Sequence, residues 1–318
     1  MTTESDCSLM ELTARSERGD HEAQYLLGKL YYEGEGVQQD MERARDLLVA
    51  SAEGGYPAAQ YTYGYLCCYG IGVPEDKLAA IMWYRKSANQ GYAEAQYGLG
   101  YMCDTGQGIK VNKMEAAKWY LLAADKGHAG AQCNLGNLYF YGQGVRHDKK
   151  EAVRLYKMSA EQGNIDALFN LGRIYETGDG VKKDDAAAVS YYHEAAKRGG
   201  PQSLYNLGVR YLTGLGVVQD EAKAAKMITA SALKGNDEAQ YLLATMYYGG
   251  IGVEKNLTKA AKMFEAASRR WNMCAIYHLG LLYLRGEGVE QNERRGIGLI
   301  KLAAELGEPE AQALLATR

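Results

Sequence analysis

Excess positive charge is missing from this chain. It carries 36 Lys and Arg against 39 Asp and Glu, for a net charge of −3 and an isoelectric point near 6.0. That balance provides no basic stripe, so nucleic acid is not an expected partner. Nowhere do 18 apolar residues run together, which argues against a membrane-spanning helix. Met1 to Met10 has neither a basic start nor an apolar run, and no secretory signal is expected there. No segment sustains the apolar–polar alternation of a half-buried strand, so no sheet is expected. The five histidines (His21, His128, His147, His193 and His278) are scattered, with no pair at metal-ligand spacing. Neither a metal nor a cofactor is expected.

Cysteine is sparse as well: Cys7, Cys67, Cys68, Cys103, Cys133 and Cys274. Cys67 and Cys103 stand where a core tyrosine recurs elsewhere in the pattern described below. Packed helices lie roughly 8–10 Å apart, and a disulfide needs Cα atoms within about 7 Å. Free thiols in a reducing, cytoplasmic compartment are therefore expected.

Repetition dominates what is present. Ala23-Gln24-Tyr25-Leu26-Leu27-Gly28 opens a pattern that returns every 36 residues without insertion or deletion. Its last glycine recurs as Gly64, Gly100, Gly136, Gly172, Gly208 and Gly280, with Ala244 the one exception. A second mark follows in Gly36-Val37, Gly72-Val73, Gly108-Ile109, Gly144-Val145 and their later copies. The repeats start at 20, 56, 92, 128, 164, 200, 236 and 272. Residues 1–19 are assigned to a tail and a capping helix, 20–307 to eight repeats, and 308–318 to a final half-repeat. A fixed period of this length means a solenoid, a single elongated array of stacked copies.

Each copy is predicted to be a helix pair. In the first helix (A), Ala23, Leu27, Leu30 and Tyr31 share one face; in the second (B), Ala44, Leu47, Leu48, Ser51 and Ala52 do the same. Asp or Asn precedes every helix B: Asp40, Asp76, Asn112, Asp148, Asp184, Asp220, Asn256 and Asn292. A short side-chain oxygen there caps free N–H groups, for about 1 kcal/mol each. Three of the four prolines, Pro57, Pro201 and Pro309, hold the first position of a helix A, where the missing N–H costs nothing. Glycine ends each helix A from Gly34 onward, and each helix B except in repeat 7, where Trp271 takes its place. A β-carbon disfavours a left-handed cap, so that turn is expected to be built differently. The small residue at Gly28 and its copies is expected to let two helices approach closely.

The pattern A-Q-x-x-L-G-x-x-Y-x-x-G-x-G-V-x-x-D-x-x-x-A, then A-A-x-x-G, resembles the Sel1-like repeat family, relatives of the tetratricopeptide repeats. Repeat 4 shows it whole in Ala131-Gln132-Cys133-Asn134-Leu135-Gly136, Tyr139, Gly142, Gly144-Val145, Asp148, Ala152, Ala160 and Gly163. The resemblance implies an all-α, right-handed superhelical α-solenoid with helix A on the concave face. It further implies a scaffold, either an adaptor or an inhibitor and immunity-type protein, that binds another protein or an extended peptide, as a monomer. Cysteine-rich relatives suggest an alternative, a weak β-lactam-type hydrolase, although the paired cysteines of those relatives are lacking here.

Catalytic patterns are thin. Gly34-Glu35-Gly36 follows a helix and lacks the third glycine of a dinucleotide loop. Ser231-Ala232-Leu233-Lys234 matches S-x-x-K, but its serine falls in a slot of small packing residues. Glu22, Glu94, Asp166 and Glu238 share one slot near the start of helix A and complement the helix dipole.

Exposed slots that vary between copies are the places to look for recognition. By analogy with related repeats, the concave slots of repeat 1 are Glu22, Tyr25, Leu26, Lys29, Tyr32 and Glu33. The Leu26 slot becomes Asn134, Asn170 and Asn206 in three successive repeats. Such a ladder offers donors and acceptors to a peptide backbone, or reflects a preference for Asn in this slot of the family. The Lys29 slot includes Asn137 and Arg173, and Arg210 replaces an apolar residue two slots from Gly208. Arg173 and Arg210 are candidates for an acidic partner group. Tyr outnumbers Phe 26 to three. The column from Tyr25 to Tyr277, including Phe169 and Tyr205, is expected either to stack between successive A helices or to line the groove. Tyr32, Tyr69, Phe140, Tyr141 and Tyr248 are further candidate anchors.

Overall fold

The computed structural model describes residues 4–317, with side chains for 9–317. The thiol of Cys7 and most of what the sequence suggests for Met1 to Met10 fall outside the described residues. Within them there are 18 α-helices and no strand. The chain divides into two compact units, Met1–Gln162 and Gly163–Arg318.

In the N-terminal unit α1 (Glu4–Glu17) is followed by four pairs. These are α2 and α3 (His21–Glu33, Met41–Glu53), α4 and α5 (Pro57–Tyr69, Lys77–Asn89), α6 and α7 (Ala93–Thr105, Lys113–Asp125), and α8 and α9 (Ala129–Tyr141, Lys149–Glu161). The C-terminal unit holds α10 and α11 (Ile165–Thr177, Asp185–Lys197), α12 and α13 (Pro201–Thr213, Glu221–Leu233), α14 and α15 (Asp237–Gly249, Leu257–Ser268), and α16 and α17 (Met273–Arg285, Glu293–Glu305), and ends with α18 (Pro309–Ala316). Within each unit a helix packs most extensively on its pair mate and next on the following pair. Each unit is a stack of helix hairpins.

Local chemistry sets the ends. All eight Asp and Asn residues before helix B accept a hydrogen bond from a first-turn backbone N–H, as Asp40 does from Arg43 and Asn292 from Arg295. Helix A of each of the eight repeats stops at a left-handed glycine, such as Gly34 at φ 74° and Gly286 at φ 68°. The turn at Trp271 corrects the expectation of a different construction. Trp271 itself adopts φ 63°, and its N–H bonds Ser268 O at 3.0 Å, as Gly55 bonds Ala52 O at 3.1 Å. The glycine geometry is kept and a tryptophan is forced into it.

The repeated motif residues do the joining. A Cβ on Gly64, Gly100, Gly136 or Gly172 would lie 2.5–2.9 Å from the ring of Tyr84, Tyr120, Tyr156 or Tyr192 respectively. In these four pairs helix B thus lays a tyrosine ring against the bare backbone of helix A. Ser51, Ser87, Ser159 and Ser231 clamp the same pair by donating to His21 O, Pro57 O, Ala129 O and Pro201 O at 2.5–2.7 Å. The glutamine of the motif reaches back to the preceding pair. Gln60, Gln96, Gln132 and Gln240 donate to Ala52 O, Ala88 O, Ala124 O and Ala232 O at 3.1–3.3 Å. Burial pushes the thiols of Cys67, Cys68 and Cys103 above the ordinary range, which leaves them protonated fillers.

Candidate interaction surface

Helix A carries its variable slots between helix B of its own pair and helix B of the preceding pair. Of the candidate residues, Asn134, Asn137, Phe140 and Tyr141 lie on α8 in the N-terminal unit, and Phe169, Asn170, Arg173, Tyr205, Asn206 and Arg210 on α10 and α12 in the C-terminal unit. Each set is described within its own unit.

Among the described residues the rings of the aromatic column do not pair with one another. Tyr61 packs on Tyr84, Tyr97 on Tyr120, Phe169 on Tyr192 and Tyr241 on Phe264, with centroids 5.4–6.1 Å apart. These four rings lie against helix B of their own repeat, because the small residue at the Gly28 slot brings that helix close. The column also reaches the following repeat, Tyr25 on Tyr56, Tyr61 on Tyr92 and Tyr97 on His128 at 4.4–5.7 Å and Tyr241 on His278 at 5.9 Å. Tyr205 is half-buried.

The asparagines serve phenols inside the fold. Asn134 Nδ2 donates to Tyr120 Oη at 3.2 Å, while that hydroxyl donates to Asp104 Oδ2 at 3.3 Å. In the C-terminal unit Tyr192 Oη donates to Glu176 Oε2 at 2.5 Å and is bonded by Asn206. Asn137 Oδ1 accepts from Tyr156 Oη at 2.7 Å, and Asn170 also has a partner. Burial drives the phenols of Tyr120 and Tyr192 far above their ordinary value, so they stay neutral and each needs a donor and an acceptor. The asparagine 14 residues downstream of such a tyrosine provides the donor. Where helix B carries Ile228 the downstream residue is apolar Leu242, and where it carries Phe264 it is His278, whose ring stacks on the phenylalanine at 5.3 Å.

Arg210 is likewise committed within the fold: the acidic groups it pairs with belong to this chain, which corrects its reading as a candidate for an acidic group of a partner. It is 4% exposed and pairs with Glu176 at 2.5 Å and Asp185 at 2.8 Å. A buried charge requires such partners, and these lie on the preceding helix pair. Arg173 remains exposed, its guanidinium 6.0 Å from the centre of the Phe169 ring. Tyr141 is 58% exposed and stands edge-on to Phe140, whose ring also lies 5.5 Å from the Lys149 ammonium.

Sequence reasoning missed a cleft in the N-terminal unit. Tyr61, Tyr65 and Tyr69 of α4 and Tyr97 and Tyr101 of α6 surround a volume of ≈ 340 Å³ floored by Tyr84 of α5. Gly98 opens it, for this glycine holds the slot that carries Asn134 and Asn206 elsewhere. A Cβ there would stand 3.4 Å from the Tyr84 ring, in ordinary contact. The signal was in the sequence as an absence: glycine 14 residues after a helix-B tyrosine, and Cys68 where Asp104 and Glu176 stand in other repeats.

No S-x-x-K centre forms. Ser231 is wholly buried with its hydroxyl bonded to Pro201 O, and Lys234 is exposed. Cys274 donates to Glu308 Oε2 at 3.0 Å, and burial together with that carboxylate pushes its thiol up to about 11. It is therefore not a nucleophile at neutral pH. Among the described residues no cluster of His, Cys, Asp and Glu is arranged to hold a metal, and no helix is long and apolar enough to cross a membrane.

Stacked helix hairpins with fixed joints and varying outer slots define an α-solenoid repeat protein. The Sel1 repeat model matches residues 21–56, 57–92, 93–128, 129–164, 165–200, 201–236, 237–270 and 275–308. The chain belongs to the Sel1 repeat family. Only the seventh and eighth matches are separated, and the gap begins at Trp271. Among solved structures the chain is similar to c5321, a protective antigen of uropathogenic Escherichia coli strains displaying an SLR fold, with 35% identity and a TM-score of 0.85. The match covers 97% of this chain but 66% of that one, so this chain spans just under two thirds of its length. A Sel1 repeat protein from Oxalobacter formigenes is similar at 29% identity and a TM-score of 0.70, over 97% of this chain and 89% of that one. Comparison with curated proteins gives no match.

Proposed function

We propose that this protein is a non-enzymatic interaction scaffold, an adaptor or an inhibitor of the immunity type. It works as a cytoplasmic monomer that takes a protein or extended peptide on its helix-A face. One observation carries this reading. The residues that join the helices recur (a small residue in the Gly28 slot of every repeat, the clamp serine in four repeats and the motif glutamine in five), whereas outer helix-A slots such as those of Lys29 and Glu33 differ between copies and leave Tyr141 and Arg173 exposed. Tyr and Arg dominate binding energy at protein interfaces. Asn134, Asn137, Asn206 and Arg210 support the surface from behind, and Phe140, Phe169, Tyr205 and Asn170 complete it.

The test is capture of a partner from the native host by the intact protein, compared with Tyr141→Ala and Arg173→Ala. Each change is expected to weaken binding by about 1–2 kcal/mol and to leave the helical circular dichroism spectrum intact. A partner held equally well by both variants would overturn the assignment of this face.

A further inference from the structure

The cleft floored by Tyr84 is built differently from the joints around it. At Tyr120 the hydroxyl gives its proton to Asp104 and receives an N–H from Asn134. At Tyr192 the corresponding groups are Glu176 and Asn206. Tyr84 has Cys68 and Gly98 in those two places. Its side chain is 4% exposed, yet its hydroxyl has no hydrogen-bond partner among the described residues and is not sealed from the cleft. That oxygen opens on the cleft, where a ligand would take the place of water as its partner.

The walls say which ligand. Their π faces carry the negative side of the ring quadrupole, which attracts cations within about 6 Å. Elsewhere the chain satisfies such faces itself. Arg43 lies over Tyr31 at 4.5 Å, Lys86 over Trp83 at 4.1 Å and Arg295 over Tyr283 at 4.3 Å. Among the described residues no cation of the chain sits on Tyr61, Tyr65, Tyr69, Tyr84 or Tyr101. The lining contains no charged residue. At the rim Lys77 is paired with Glu75 at 3.3 Å, and the exposed Glu94 acts electrostatically on Tyr61.

The geometry points to a binding site for a basic side chain, the guanidinium or ammonium end of an arginine or lysine presented by a partner peptide. Its N–H replaces the donor that Asn134 supplies to Tyr120, and its charge rests against the tyrosine faces. The inference rests on the helix-A face being the interaction surface, but its test needs no partner.

Nα-acetyl-arginine amide is titrated into the full-length protein while ring signals of labelled tyrosines are followed by NMR. Saturable shifts at Tyr61 and Tyr84 are expected, with Nα-acetyl-lysine amide acting on the same rings. Nα-acetyl-citrulline amide, of the same shape but neutral, is expected to bind at least roughly tenfold more weakly. Gly98→Asn installs the side chain that serves Tyr120. It is expected to keep the melting temperature and abolish the shifts, and Tyr101→Leu, at an exposed wall, to weaken binding several-fold. Equal shifts from arginine, citrulline and leucine amides would show an apolar cleft and overturn the proposal. So would undiminished shifts in Gly98→Asn, or no saturable shift in the wild type. None of these failures touches the capture experiment, which reads a different residue set.

Discussion

Trp271 pays locally for its position. It is 68% exposed and adopts φ 63°, where a side chain costs about 1–2 kcal/mol over glycine. With so little of the ring buried, packing returns only part of that cost. Trp271→Gly is expected to stabilise the protein by about 1 kcal/mol, read as a rise in the thermal midpoint. An unchanged or lower midpoint would mean that the ring makes contacts worth the strain. At this scale the caps were legible and the site was not. An Asp before a helix or a glycine after it acts on its own turn, so Asp40 and Gly34 announce themselves. Arg210 answers to Asp185 and Glu176 on another helix pair, and nothing in its own stretch of chain names them. Only its charge in an apolar slot warned that a partner was required.

The Gly28 slot decides how the two helices of a pair meet. At Gly172 a Cβ would lie 2.5 Å from the Tyr192 ring, and that ring is anchored by Glu176 and Asn206, so it has little freedom to withdraw. Gly172→Val is expected to cost about 3 kcal/mol by overpacking, measurable by urea denaturation. Repeat 7 already carries Ala244 against Phe264, a ring without a hydroxyl to hold. Ala244→Val is therefore expected to cost less than Gly172→Val, and equal costs would show that the anchoring is irrelevant. Helix positions and the close approach were readable from the 36-residue spacing. The direction of the aromatic column was not, because spacing gives a slot and not the neighbour across from it. The contact with helix B followed only when the close approach was seen.

Over the whole chain, stability in a stack of this kind is a sum of repeat terms and nearest-neighbour terms. Among the described residues α18 packs chiefly on α17, whereas α16 and α17 are packed on both sides. Amide hydrogens of α18 are expected to exchange at least about tenfold faster than those of α16, as measured by hydrogen–deuterium exchange; comparable protection would show that the end is held by something beyond this packing. The repeat architecture was the most legible level, since every copy restates it. The asparagine ladder was visible as a pattern but not as a mechanism. Its meaning needed the tyrosine upstream on a different helix, and the same relation exposed the vacancy at Gly98.

Because Tyr120 is completed by Asn134 and Tyr192 by Asn206, each such bond joins the second helix of one copy to the first helix of the next. Ile228 with Leu242 and Phe264 with His278 follow the same rule in apolar form. Neighbouring copies are thus keyed to one another by polar pairs at some junctions and apolar pairs at others. A gene-level rearrangement that set repeat 7 between repeats 3 and 4 would keep every cap and clamp while placing the Tyr120 phenol against Leu242 and the Asn134 amide against Phe264.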